Sequence, residues 1–137
     1  MHKYSEIKFP LSADREMVLT SAPGAFTPTG TTKLLISAVQ QIVKEPESLL
    51  DLGCGIGVVG LALHLHGLVK SPLYASDLSE SGVSCSSINF KRYGCAADVR
   101  HGSLFEPWQG QKFDVIVDDI SGIAQEVAAV SPWFQGV

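Results

Sequence analysis

One stretch, Leu49-Leu50-Asp51-Leu52-Gly53-Cys54-Gly55-Ile56-Gly57-Val58-Val59-Gly60, constrains the fold more than any other part of the chain. It reads as a short apolar strand that runs into a glycine turn and then into an apolar helix opening at Val58. Glycine tolerates positive φ and lets a ligand approach the backbone, while a helix start offers unpaired N–H groups and a partial positive charge. The stretch therefore predicts a strand–turn–helix corner that binds a ligand.

The rest of the chain repeats the alternation. Pro72 to Asp77 reads as a second strand, Ser79 to Tyr93 as a helix stopped at Gly94, Ala97 to His101 as a third strand and Lys112 to Asp119 as a fourth. Val115, Ile116 and Val117 form the continuous β-branched run expected of a strand buried on both faces. Such alternation predicts an α/β fold, a doubly wound and mainly parallel sheet. Ligands of such sheets bind at the carboxyl ends of the strands, where Gly53, Asp77, Ser103 and Asp119 collect.

Ahead of the corner, residues 1–24 read as an N-terminal arm or β-hairpin, with Ile7, Phe9 and Leu11 alternating and Met17-Val18-Leu19 as a short strand. Residues 25–47 read as a loop and then a helix that starts near Gly30 and stops before Pro46. Leu34, Leu35, Ala38, Val39 and Ile42 share its apolar face, and Thr29, Thr31 and Thr32 are candidate caps.

With 137 residues the chain suffices for one domain with a real core, 1–137, and not for two. Its 45% apolar and 18% charged content is that of a globular protein. Apolar runs are broken by Gly, His or Asp before they could span a bilayer, and no basic-then-apolar signal pattern opens the chain, so no membrane association and a cytoplasmic location are expected. Cys54, Cys85 and Cys95 lack C-x-x-C spacing and predict small buried side chains rather than a disulfide framework or zinc. His64 and His66 lie two apart on a helix and cannot chelate one metal from a single face, so no metal is expected. A net charge of −4, with Lys91-Arg92 the only adjacent basic pair, weighs against gripping a long duplex unaided but leaves room for a small nucleic-acid contact.

Two cofactors compete for the corner. Gly55-Ile56-Gly57-Val58-Val59-Gly60 spells the G-x-G-x-x-G of dinucleotide sites, and Asp77 stands where a ribose-binding acid is expected, which taken alone suggests NAD. The register argues otherwise: the strand ends at Leu52, so the first tight-turn glycine is Gly53 and not Gly55. Asp51 would repel a pyrophosphate but is a good partner for an ammonium. Asp51-x-Gly53-x-Gly55-x-Gly57 resembles motif I of the class I S-adenosylmethionine (SAM) methyltransferases. If the glycines served only a tight turn in some other α/β domain, Asp51, the alternating glycines and Asp77 would all be coincidence.

Phe26-Thr27-Pro28-Thr29-Gly30-Thr31-Thr32 further resembles the Phe-x-Pro-x-x-x-Thr segment ahead of motif I in the small-domain N-methyltransferases. These include the release-factor glutamine methyltransferases and, more loosely, the ribosomal-protein lysine methyltransferases. The resemblance implies SAM as cofactor, with Asp51 meeting its ammonium and Gly53, Cys54, Gly55 and Gly57 letting its methionine part approach the backbone. It implies Asp77 on the ribose, Leu78, Gly102 and Ser103 beside the adenine, Thr32 bordering the cofactor, and Phe26 and Pro28 at the substrate mouth. The family usually carries an acid at the position of Ser103; an uncharged hydroxyl is the weaker acceptor, so adenine recognition leans on backbone groups.

After the fourth strand the glutamine and adenine N-methyltransferases carry Asn-Pro-Pro-Tyr, where this chain has Asp119-Ile120-Ser121-Gly122. Asp118 or Asp119 would accept hydrogen bonds from an acceptor amine or amide, or take the proton of an ammonium; the plainer reading is a turn or N-cap pair. The implied activity is methyl transfer from SAM to a nitrogen of a protein side chain or nucleic-acid base. The alternatives are a non-catalytic SAM-binding module or partner subunit, and an NAD-dependent oxidoreductase. Ile123 to Val130 reads as a helix ended by Ser131-Pro132-Trp133-Phe134. The family's sheet has more strands than the roughly four read here, so the Rossmann-like core over 48–137 is expected to be truncated, with a homodimer or partner chain covering the fourth strand's edge.

Overall fold

The computed structural model describes residues 3–69 and 72–119, so the helix expected over 123–130 lies outside the described residues. The chain runs through β1 (Ser5–Ser12), β2 (Arg15–Ser21), α1 (Gly30–Ile42), β3 (Leu49–Leu52), α2 (Val58–Leu65), β4 (Leu73–Asp77), α3 (Glu80–Arg92), β5 (Ala97–His101), a short 3₁₀ turn (Glu106–Trp108) and β6 (Val115–Asp118). β1 and β2 pair as an antiparallel hairpin, while the other strands form a parallel sheet in the order β5-β4-β3-β6. The crossover to β6, on the far side of β3, makes β3 the strand beside which the order reverses.

Strand alternation sorts the side chains into two layers. Leu49, Leu73, Ala75 and Val117 face the helices and join Val58, Val59, Leu61, Leu63 and Phe90 in the main core. Leu50 and Leu52 point the other way, under Trp108, with Tyr74 and Phe113 packed alongside. There the rings of Tyr74 and Trp108 meet edge-on at 5.8 Å, Trp108 donates its indole N–H to Ser76 Oγ at 2.9 Å, and the Arg100 guanidinium lies 4.3 Å above the Trp108 ring. α2 is buried from Val58 to Leu63, as an almost wholly apolar helix against a sheet must be.

Residues 5–21 form the hairpin of the two alternatives, and it is part of the core rather than a loose arm. Met17 and Leu19 are fully buried. The edge of β2 is read by side chains of α3: Thr20 N–H donates to Asn89 Oδ1 at 2.7 Å, Asn89 Nδ2 donates to Thr20 O at 3.0 Å, and Val18 N–H donates to the Tyr93 hydroxyl at 2.7 Å. Asn89 also donates to Ile56 O at 2.8 Å, which ties the hairpin to the glycine corner.

Two expectations are corrected. α1 buries Thr32, Ile36 and Val39, whereas Leu34 and Ile42 are 72% and 78% exposed. Two apolar stripes overlap on this helix, and α1 packs through the one that brings Thr32 inward. β6 is not covered on both faces either, because Ile116 is 46% exposed and Val117 alone is buried. It is an edge strand among the described residues, and the aromatic cluster over Leu50 and Leu52 does not enclose Ile116.

Candidate functional site

The strand-to-helix turn has the geometry its glycines predict. Gly53, Gly55 and Gly57 adopt φ of 67°, 56° and 90°, in the left-handed region. Cys54 N–H donates to Ser76 O, and Gly57 N–H to Cys54 O, both at 2.8 Å, closing the turn against β4. At Gly57 a Cβ would also stand 2.9 Å from Phe90 Cζ, so the turn excludes a side chain there on two grounds.

Asp51 is 1% exposed. Its Oδ2 accepts from Gly60 N–H at 3.0 Å, in the first turn of α2, while its buried Oδ1 has no hydrogen-bond partner. The approach depends on Gly60, where a Cβ would fall 2.6 Å from Leu73 Cδ2 and 3.2 Å from Asp51 Oδ2. Burial pushes the Asp51 carboxyl up to about 7; the Gly60 N–H opposes this, and Asp118, Asp119 and Asp77 add to it by repulsion. A half-satisfied buried carboxylate costs stability unless a cation or donor meets it.

Gly53 separates two hollows at the carboxyl ends of the strands. The first, about 10 Å³, is lined by Phe26, Pro28, Thr32, Asp51, Gly53, Cys54 and Asp119, with Ile56, Val58 and Val59 beneath. The second, about 130 Å³, is lined by Leu52, Gly53, Ser76, Asp77, Leu78, Gly102, Ser103, Leu104 and Asp118. Every cofactor-site candidate from the sequence except Gly55 and Gly57, which shape the turn itself, lines one or the other. Asp77 is half-buried; desolvation raises its carboxyl, against the N–H groups of Leu78, Ser79 and Gly55 and the nearby His101.

The paired acids part company. They follow one another at the end of β6, so they point to opposite faces: Asp118 lines the second hollow and Asp119 the first. Partial desolvation and the Asp119 carboxylate raise Asp118. Thr32, expected to border the cofactor, lines the first hollow but donates its hydroxyl to Asp119 Oδ2 at 2.5 Å. A much larger hollow of about 500 Å³, lined in part by Ser87, Lys91 and Ala96 between α3 and β5, contains none of the candidates.

The family model of the methyltransferase small domain matches residues 16–119. The chain belongs to the methyltransferase small-domain family. It is 32% identical over 113 residues to the ribosomal protein L11 methyltransferase of Staphylococcus carnosus, covering 79% of this chain and 35% of that protein, and 31% identical over the same length to that of S. aureus. It thus spans about a third of the length of these relatives. Among solved structures, the L11 methylase of Lactobacillus delbrueckii subsp. bulgaricus aligns with a TM-score of 0.59 at 28% identity, over 70% of this chain and 49% of that one. T. thermophilus 16S rRNA N2 G1207 methyltransferase, in complex with AdoMet and guanosine, shares the fold with a TM-score of 0.72 at 20% identity, over 84% of this chain and 32% of that one. The fold is that of the class I SAM-dependent methyltransferases.

SAM is the cofactor of this methyltransferase family, and the side chains fit it. SAM carries a sulfonium and an ammonium, and Asp51, Asp77, Asp118 and Asp119 surround the two hollows. Asp51, beside the glycine turn, would repel a pyrophosphate, and with the methyltransferase family match the dinucleotide reading falls. Among the described residues no cluster of His, Cys, Asp or Glu has the makings of a metal site, and no helix is long and apolar enough to cross a membrane. The Cys54 thiol, buried against Ser86 Oγ at 3.2 Å, is pushed well above its usual range by burial.

Three contributors to this methyltransferase corner escaped sequence reading. Gly60, the donor to Asp51, lay within the glycine motif but had no assigned partner. His101, the last residue of β5, meets Leu78 O at 2.8 Å through Nε2 and so steadies the wall of the second hollow. Leu104, at φ 47°, lines that hollow while 68% exposed. Its left-handed backbone has no signature in a leucine.

Proposed function

We propose that the chain binds SAM across the two hollows and serves methyl transfer to a nitrogen of a protein side chain or a nucleic-acid base. Asp51 carries the proposal: a fully buried carboxylate whose Oδ1 lacks a partner suits a cationic group, and the SAM ammonium is one. In this reading Asp51 and the Gly53–Gly57 turn take the methionine part, with Cys54 against it. Asp77 takes the ribose hydroxyls, and Leu78, Gly102 and Ser103 flank the adenine. Phe26 and Pro28 border the substrate mouth, and Asp119, ahead of Asp118, faces the acceptor because it lines the Asp51 hollow.

When bound, SAM supplies an electrophilic methyl group: its bond to sulfur breaks as the bond to the acceptor nitrogen forms, leaving S-adenosylhomocysteine. The chain's task is alignment, and removal of a proton where the acceptor starts as an ammonium. Asp119 accepts a hydrogen bond from the acceptor N–H and so points the nitrogen lone pair inward; with an ammonium it takes the proton. The named activities of the relatives favour a ribosomal protein or an RNA as acceptor. We place the reaction in the cytoplasm, with 1–137 acting as one domain.

A second reading, a SAM-binding module without transfer activity, draws support from Asp119-Ile120-Ser121-Gly122 standing in place of Asn-Pro-Pro-Tyr. In either reading a second copy or a partner chain would cover the β6 edge at Ile116, exposed among the described residues. Calorimetric titration with SAM, S-adenosylhomocysteine and NADH, on the chain and on Asp77→Ala, tests the cofactor. Micromolar binding of the first two, weakened roughly 10–50-fold in the variant, and none of NADH, is expected. Incubation with radiolabelled SAM and ribosomal extract then separates the readings, since the module predicts binding with no labelled product.

A further inference from the structure

Of the four carboxylates around the two hollows, the proposed function gives Asp51 to the ammonium, Asp77 to the ribose and Asp119 to the acceptor, which leaves Asp118. Asp118 stands opposite Leu52 in the parallel register of β3 and β6, one residue before Gly53. Its carboxylate reaches the glycine: a Cβ on Gly53 would stand 3.4 Å from Asp118 Oδ1. Gly53 lines both hollows, so it marks the place where they meet. Partial desolvation and the Asp119 carboxylate disfavour the charged form of Asp118, a cost that a cation beside it offsets. The adjoining hollow is independently marked as a cation's place by the buried Asp51, whose Oδ1 has no hydrogen-bond partner.

We infer that Asp118 discriminates SAM from S-adenosylhomocysteine by the charge on sulfur. The sulfur joins the methionine part to the ribose, so a ligand with its ammonium at Asp51 and its ribose at Asp77 carries the sulfur past Gly53, beside the Asp118 carboxylate. Methyl transfer leaves the electron pair of the broken bond on sulfur, which turns neutral while the positive charge passes to the acceptor nitrogen. The attraction to Asp118 then ends. Opposite unit charges a few ångströms apart at a partly solvated rim change affinity by about three- to tenfold, and a neutral thioether forfeits that gain. Asp118 thus favours the methyl-bearing cofactor over the spent one and eases their exchange after transfer. Asp51 and Asp77 make no such distinction, because the groups they hold are common to the two ligands. The inference rests on the proposed placement of SAM across the two hollows.

The test is calorimetry at pH 8 on the whole chain, comparing wild type with Asp118→Asn, Asp118→Ala and Asp77→Ala. The ligands are SAM, S-adenosylhomocysteine and sinefungin, which carries an amine on carbon in place of the methylated sulfur. Asp118→Asn is expected to shift the ratio of the SAM and S-adenosylhomocysteine dissociation constants by at least about threefold against SAM, with S-adenosylhomocysteine itself held within about twofold. Sinefungin weakens together with SAM, because the charge is read and not the methyl group. Asp77→Ala weakens SAM and S-adenosylhomocysteine alike and leaves their ratio in place. A ratio that moves less than this in Asp118→Asn, or a loss for SAM that sinefungin does not share, would overturn the inference with the proposed function intact. If Asp118→Asn does not fold, Asp118→Ala decides by the same ratio. A wild-type chain that binds neither SAM nor S-adenosylhomocysteine overturns the proposed function, and the inference with it.

Discussion

The two hollows on either side of Gly53 solve different problems. The one around Asp51 is narrow, walled in part by the buried Thr32, Cys54 and Ile56, and built on a carboxylate that the fold leaves half satisfied. The one around Asp77 is larger, its acid is held by backbone N–H groups, and two of its apolar lining residues, Leu78 and Leu104, are 69% and 68% exposed. Recognition by a buried unpaired charge is costly without ligand and strong with it; recognition by a satisfied, half-exposed acid is cheap and modest in both states. In the proposed function the Asp51 end therefore carries selectivity for a cation, and the Asp77 end adds affinity.

The sharpest way to break this contrast is Asp51→Ala. SAM affinity is expected to fall by on the order of 10²–10³-fold in calorimetry, the cost of leaving a charged ligand group without its buried partner. Asp77→Ala should cost less, roughly 10–50-fold, as befits hydrogen bonds to a charged group that solvent can partly replace. Comparable losses in the two variants would erase the distinction between the ends.

pH sharpens the contrast by separating protein stability from binding. Because burial raises the Asp51 carboxyl to about 7, the folded chain holds a proton that the unfolded chain has already lost between the usual carboxylate range and pH 7. Stability without ligand should therefore fall as pH rises through that window and level off above it, with a total span on the order of 4 kcal/mol from this group. SAM binding runs the opposite way, weakening up to about tenfold per pH unit below 7, because the ammonium needs the charged form. Thermal melts and titrations at pH 5, 6, 7 and 8 read both slopes; parallel slopes would remove Asp51 from the ammonium. The smallest effect is Ser103→Asp, expected to tighten SAM by about threefold through a stronger acceptor at the open end.

Much of this was legible in the sequence, for reasons that differ from residue to residue. The strand, the turn and α2 are written in local periodicity and glycine spacing, so Asp51, Gly53 and Asp77 were identifiable as neighbours of one corner. The separation of Asp118 from Asp119 follows from strand alternation alone, although their adjacency invites treating them as one group. The buried face of α1 was not legible, because Leu34-Ala38-Ile42 is as apolar as Ile36-Val39 and the choice is made by partners far away in sequence, α2 and the core beneath it among them. Nor was the exposure of Ile116, since the same β-branched run serves a central or an edge strand and only its neighbours decide which.

Asn89 carries a consequence for how the corner comes into being. Its amide joins Thr20 of β2 to Ile56 of the glycine turn, contacts that span 69 and 33 positions. Contacts of such sequence separation consolidate late, after the chain has met the entropic cost of closing the intervening loops. On the ribosome the N-terminal hairpin must wait for α3 to emerge before it can dock, and until then the turn lacks one of its anchors. The cofactor corner, first to be recognised in the sequence, is thus among the last parts of the molecule to set.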